Sequence, residues 1–274
     1  MNFLGLHIIT IGLLVFYANV TATTEPKPTL YVFGDSMSDI GKFGQLVYGI
    51  APRYPYWQYR FSSGPYNMAI GMSTANRTRG WHLSFAPTRI LPSTLDQIHS
   101  FKRLTLDFKL QTVSAKDIVV LEIGANDYLF MLDEITSGRT SPAEFAHDLV
   151  SDVKQQVGLL QQIGFSNIVI TNLPLMQYMP AARYLDCEVV TARVVESYNS
   201  ELSRQFSNWA QVSGLNSFIS IDMARFFELA IMPSISSALG LVDTTSSCVG
   251  ANIFNLLEPS TNRTEGIMKL FIDP

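Results

Sequence analysis

Short apolar runs alternate with helical periodicities along this chain. "LYVF" at 30–33, "DIVVLEIG" at 117–124, "NIVIT" at 167–171 and "SFISI" at 217–221 have strand length and are rich in β-branched or aromatic residues. The run at 117–124 is almost unbroken, the pattern of a strand covered on both faces. Between the strands, Ser141-Pro142-Ala143-Glu144 predicts a helix start. The Ser141 hydroxyl can accept from the third helical amide, Glu144 can reach back, and proline suits the first position. Ala146, Leu149, Val150, Val153, Val157 and Leu160 then share one face at helical spacing, and Gly164 suits a left-handed stop. A second helix is expected over 188–212, ending near Gly214. Strand followed by helix, repeated, predicts an α/β domain with a parallel sheet. Ligands of such sheets bind beyond the carboxyl ends of the strands, so Gly34-Asp35-Ser36 occupies a privileged place.

Composition narrows the classes. The chain has 274 residues, 47% of them hydrophobic and 15% charged, with a net charge of −4. That length suits one domain, expected at 29–274, with a core that needs no metal or dense disulfide network. There is no internal repeat, no low-complexity segment and no basic run, so nucleic acid is not an expected partner. The apolar stretch at 3–17 is short for a membrane span. With small residues at Val20-Thr21-Ala22 it predicts a signal peptide over 1–22, a polar lead-in over 23–28, and a secreted chain with no integral span after cleavage. Asn76-Arg77-Thr78 and Asn262-Arg263-Thr264 are glycosylation acceptors, while Asn19 would leave with the signal. Cys187 and Cys248 are the two cysteines. They read either as one disulfide or as two buried thiols.

A serine hydroxyl needs an adjacent base and donors aimed at the developing oxyanion before it acts as a nucleophile. Position alone makes Ser36 a candidate, although many serines after strands only cap a turn. The elbow Gly-x-Ser-x-Gly is absent from the sequence. However, "FGDSMSD" at 33–39 resembles the first block of the GDSL or SGNH ester hydrolases. "RFSSGP" at 60–65 resembles the segment that follows it in secreted fungal and plant members, including carbohydrate acetylesterases. "YNMAIG" at 66–71 is similar to their second block and "IGANDYLF" at 123–130 to their third. These blocks run in family order over about residues 30–274.

The resemblance implies a three-layer α/β/α, flavodoxin-like fold and acyl transfer through a serine acyl-enzyme. Ser36 would be the nucleophile and give a backbone oxyanion donor, and Asn126 would add a side-chain donor. Asp35 and Asp39 are expected to shape the turn and cap the following segment, and Asp127 to be structural. The implied substrates are small acyl esters, acetylated polysaccharide or lipid, with no cofactor and no metal. The pattern also departs from the family. The second-block donor is expected to be a glycine amide: Gly71 is the nearest glycine, while the register points to Met72. A helix-bearing stretch that usually precedes the second block is shortened at Pro65-Tyr66. No Asp-x-x-His motif occurs near the C-terminus, where the family carries it, and His7, His82, His99 and His147 are the four histidines. Asp273 in "KLFIDP" belongs to the lead-in, not to the catalytic aspartate. A chain ending before that block, with its last helix missing, is therefore expected. Ser36 is left with an oxyanion partner and no visible base, which implies an incomplete enzyme or a non-catalytic glycoprotein that keeps an ester- or glycan-binding cleft.

Overall fold

A computed structural model describes residues 27–46, 67–79, 82–83, 86–109 and 112–246. β1 (Leu30–Phe33) opens the fold, and β2 (His82–Leu83) and β3 (Ala86–Ile90) form a short antiparallel pair. β4 (Ile118–Leu121), β5 (Asn167–Thr171) and β6 (Ser217–Ile221) line up beside β1 in a parallel sheet of order β1-β4-β5-β6. The helices are α1 (Lys42–Leu46), α2 (Thr94–Lys102), α3 (Ala125–Thr136), α4 (Pro142–Ile163), α5 (Pro180–Tyr184), α6 (Glu188–Phe206), α7 (Trp209–Val212), α8 (Met223–Ala230) and α9 (Pro233–Ala238). The architecture is the three-layer, flavodoxin-like α/β/α class.

All four predicted strands form. The strand at 117–124 is not covered on both faces by the described residues: Val119 and Leu121 are buried while Ile118 is exposed, because the packed helices α2, α4 and α6 lie on one face. Helix α4 carries the complete capping box at Ser141 and Glu144 and stops at Gly164, whose φ is 117°. The helix expected over 188–212 is instead two. It breaks at Ser207-Asn208, residues whose side chains compete for backbone hydrogen bonds, and resumes as α7. Gly214 then takes the left-handed stop at φ 69°.

One sheet face carries the core. Tyr31, Phe33, Val119, Leu121, Ile168 and Ile170 are buried against Ile98 and Phe101 of α2, Leu149 and Leu160 of α4, and Val194 and Tyr198 of α6. Phe101 meets Tyr31 and Phe33 edge-on at 5.3 and 5.6 Å between ring centres, a favoured aromatic geometry.

The topology also fixes where a site can be. An isolated parallel bridge joins Val32 to Asn67, and the Met68 N–H donates to the Val32 carbonyl at 2.7 Å. The second block therefore lies along the edge of β1 opposite β4. From β1 the chain goes first to one side and then returns to the other. That reversal makes the carboxyl ends of β1 and β4 the usual ligand position of a doubly wound sheet. Residues 1–22, Pro65-Tyr66, Cys248, Asn262 and Asp273 lie outside the described residues, and with them the signal, shortening, disulfide and chain-end expectations. No helix among the described residues is long and apolar enough to cross a membrane.

Candidate active site

The turn after β1 is built by its neighbours. A Cβ on Gly34 would lie 2.8 Å from both the carbonyl oxygen and Oε2 of Glu122, so no larger residue fits there. Gln97 of α2 clasps the same residue, accepting from the Gly34 N–H at 3.2 Å and donating to its carbonyl at 2.9 Å. Asp35 is buried and accepts from the Met37 N–H at 3.1 Å, folding the chain back over itself. Ser36 sits at the outer tip of this turn, partly exposed. Among the described residues neither its N–H nor its hydroxyl has a hydrogen-bond partner.

Asp39 ties this turn to the second block. Its fully buried carboxylate accepts from the N–H groups of Gly41, Lys42 and Phe43 at 2.7, 2.7 and 2.8 Å, and from Gly71 at 2.6 Å. Three of these bonds cap α1. The fourth consumes the Gly71 amide, the glycine donor considered from sequence. The amide left over belongs to Met72, which has no acceptor among the described residues. The Ser73 N–H bonds the Ile70 carbonyl at 3.1 Å, closing a four-residue turn with Met72 at its third position, φ 62°. That is the place where a type II turn normally requires glycine.

The third block meets the first two. Asn126 opens α3 after β4, and its side-chain nitrogen donates to Asp35 Oδ2 at 3.1 Å and to the Ser73 carbonyl at 3.0 Å. Both of its protons are thus held by protein acceptors, one in the first block and one just after the second. Asp127 faces the other way. It accepts from the Ala75 N–H at 2.9 Å and from Arg79 Nε at 2.9 Å, while Arg79 also pairs with Asp152. Asp127 thus acts as a strut for the second block, as expected of it. Burial raises its pKa, and Arg79 offsets part of that.

Sequence reasoning passed over three residues in this assembly: Gln97, Ser73 and above all Glu122. The Glu122 signal was a carboxylate inside an apolar strand run. Glu122 is buried and accepts from Ser38 Oγ at 3.3 Å. Burial pushes Glu122 up to about 7. Asp35 is held well above the usual carboxylate range by burial first and by the neighbouring Glu122 charge second.

Neither His99 nor His147 takes part in these bonds. His99 and His147 are exposed on α2 and α4, with His147 3.8 Å from Glu201. His82 lies in β2. Among the described residues no cluster of three His, Cys, Asp or Glu side chains could hold a metal. Asn76 is partly buried. It accepts from the Thr78 N–H and donates to Asp152, each at 3.2 Å. Cys187 is buried at the start of α6, where Thr191 Oγ1 donates to its carbonyl at 2.7 Å.

Comparisons with known proteins identify the family. The family model for GDSL-like lipase/acylhydrolases matches residues 30–253. A phosphatidylcholine-sterol acyltransferase of Aeromonas hydrophila is 28% identical over 251 residues, covering 88% of this chain and 71% of that protein. Two GDSL esterase/lipases of Arabidopsis thaliana are 23% and 25% identical, over 68% and 81% of this chain. The match spans 64% and 70% of those two proteins.

Proposed function

From the premise that the chain belongs to the GDSL-like lipase/acylhydrolase family, whose members hydrolyse ester bonds, we propose that Ser36 is its nucleophile. The observation that carries this is the bond from Asn126 to Asp35, the residue beside Ser36. It brings a carboxamide donor of the third block to the serine turn of the first. In the proposed step, Ser36 Oγ attacks the ester carbonyl and its proton passes to a base. The oxyanion is held by the N–H groups of Ser36 and Met72 and by the Asn126 amide. The alcohol leaves, and water then releases the acid from the acyl-serine. Fixed neutral donors in a dry site need no reorganisation as the charge develops. The chemistry calls for no metal or organic cofactor.

The substrates in this reading are acyl or acetyl esters of carbohydrate or lipid, met outside the cell. An apolar segment at 3–17 and the acceptor triplets at Asn76 and Asn262 support export. In this reading the parts at hand are the nucleophile and its donors, and neither His99 nor His147 is hydrogen-bonded to Ser36. Turnover by these parts alone corresponds to roughly 10³–10⁴-fold over water. One observation favours a second reading, a secreted glycoprotein that binds esters or glycans without turnover: both Asn126 protons are already given to protein acceptors.

p-Nitrophenyl acetate hydrolysis, compared between this chain and Ser36→Ala, decides between them. Release that depends on Ser36, with an acetyl group found on the Ser36 peptide by mass spectrometry, supports the nucleophile. Equal rates and no acetylated peptide would leave the binding reading.

A further inference from the structure

The buried face of α2 carries Thr94, Gln97, Ile98 and Phe101, and Gln97 puts a carboxamide where the packing calls for hydrocarbon. It is 3% exposed. Burying an amide costs free energy unless its hydrogen bonds are remade inside the protein. Here they are. The Gln97 oxygen accepts from the Gly34 N–H, and its two protons go to the Gly34 carbonyl and, at 3.1 Å, to Ser73 Oγ. Only one orientation of the carboxamide satisfies these partners, because the Gly34 N–H demands oxygen and the Gly34 carbonyl demands nitrogen.

Ser73 passes the connection on. Its hydroxyl donates to the Pro92 carbonyl at 2.7 Å, and the Thr94 and Leu95 amides of α2 bond the Thr74 and Ala75 carbonyls at 2.9 and 3.4 Å. Helix α2 and residues 73–75 are therefore one body. The Ser73 carbonyl holds Asn126, Asn126 holds Asp35, and Asp35 follows Gly34. The bonds close a circuit that runs from Gly34 through Asp35, Asn126, Ser73 and Gln97 back to Gly34. The two backbone donors hang from it, since Ser36 follows Asp35 and Met72 precedes Ser73. We propose that Gln97 is a positioning residue that fixes the separation of the Ser36 and Met72 N–H groups, and with it the width of the oxyanion site.

The inference rests on the role proposed for those two amides. Donors serve an oxyanion only at about 2.7–3.1 Å from it, so a small change in their separation weakens one bond or both. Gln97 acts on the reaction only through Gly34 and Ser73. Other bonds keep the second block on β1, from the Met68 N–H to Val32 and from the Ile70 N–H to Gly34. Loss of the Gln97 carboxamide therefore loosens the site more than it loosens the fold.

The test is Gln97→Met in the full chain, which keeps the volume and removes the three bonds, beside Ser73→Ala, which removes only the hydroxyl. Leu160→Ala, buried in α4, is the control that loses stability away from the site. On p-nitrophenyl acetate, Gln97→Met should lose kcat at least about tenfold, short of the roughly 10²–10³-fold of a missing donor, with KM within about twofold. Ser73→Ala should lose less, and the double variant no more than Gln97→Met, because both break one circuit. In nitrogen–proton NMR, the Ser36 and Met72 amide signals should both shift in Gln97→Met and neither in Leu160→Ala. Unmoved amides overturn the proposal, as does a kcat loss that Leu160→Ala reproduces, or a rise in KM with kcat intact. Should Gln97→Met not fold, Ser73→Ala decides by the same readouts. Hydrolysis that Ser36→Ala leaves unchanged removes the nucleophile reading, and the amide signals then decide for Gln97 alone.

Discussion

The Asn126 carboxamide donates to Asp35 Oδ2 at 3.1 Å and so locks the turn after β4 onto the turn after β1. With the Ser73 carbonyl as its second acceptor, this one side chain joins the first and third blocks to the segment just after the second. Asn126→Ala removes the donor and leaves the Ser36 backbone amide in place. The expected loss in kcat for a Ser36-dependent ester reaction is about 10²–10³-fold, with KM little changed. Steady-state kinetics on p-nitrophenyl acetate measure it. A matching rise in KM with kcat intact would assign Asn126 to binding instead.

Asp39 collects four backbone amides, three from the segment after the first block and one from the second. Asp39→Ala strands two buried donors and two partly buried ones at once, and leaving a buried group unsatisfied costs roughly 1–3 kcal/mol. A destabilisation of about 3 kcal/mol or more is expected, read as a lower urea midpoint with the slope unchanged. Asp39→Asn keeps one carbonyl acceptor and should fall between the two.

Arg79 balances the buried Asp127 carboxylate. Arg79→Met leaves that charge uncompensated, and breaking such a pair costs about 3–5 kcal/mol. The loss should be smaller at pH 4.5 than at pH 8, since a carboxyl already raised by burial escapes the penalty by taking a proton. Adding Asp127→Asn should recover much of the stability in the double variant, which thermal melts at the two pH values can test.

The strands and the capped helix α4 were legible because hydrophobic period and cap chemistry are local. Ser36 and Asn126 were legible for a different reason: each stands just past a strand in a block with a distinctive pattern. Glu122 and Gln97 were not, because their roles exist only across the register that sets Gly34 beside Glu122 and packs α2 on β1. The choice between the Gly71 and Met72 amides was equally hidden. It turns on Asp39, 32 residues away in sequence, taking the first of them.

Glu122 makes stability depend on pH in a stated direction. Its ordinary value of 4.5 is raised to about 7 by burial, so the folded chain holds a proton that the unfolded chain has already lost. Stability is then greatest at the acid end of this window, falls as pH rises from about 4.5 to about 7, and levels off for this group above that. The full contribution is of order 3 kcal/mol. Chemical denaturation at intervals across that range should show the decline, and Glu122→Gln should flatten it. A rise in wild-type stability over the same window, with carboxylates elsewhere accounted for by the variant, would contradict the burial argument.

Met72 holds a backbone angle that L-residues avoid. At φ 62° its Cβ crowds the neighbouring carbonyl, a conformation costing roughly 1–2 kcal/mol. Glycine would remove that strain at the expense of a more flexible unfolded chain, worth roughly 0.5–1 kcal/mol. Met72→Gly should therefore stabilise by up to about 1 kcal/mol, near 2–4 °C in Tm for a domain of this size. Met72→Val should do the opposite, because a β-branched side chain is least compatible with positive φ. The same pair of variants probes the site. The Gly71 amide is committed to Asp39, so the proposed oxyanion donor is the Met72 amide, and a smaller side chain there would leave more room beside it. Met72→Gly should then raise fluorophosphonate labelling of Ser36 together with stability, and Met72→Val should lower both. Stability rising while labelling stays flat would place Met72 in the fold and outside the oxyanion site.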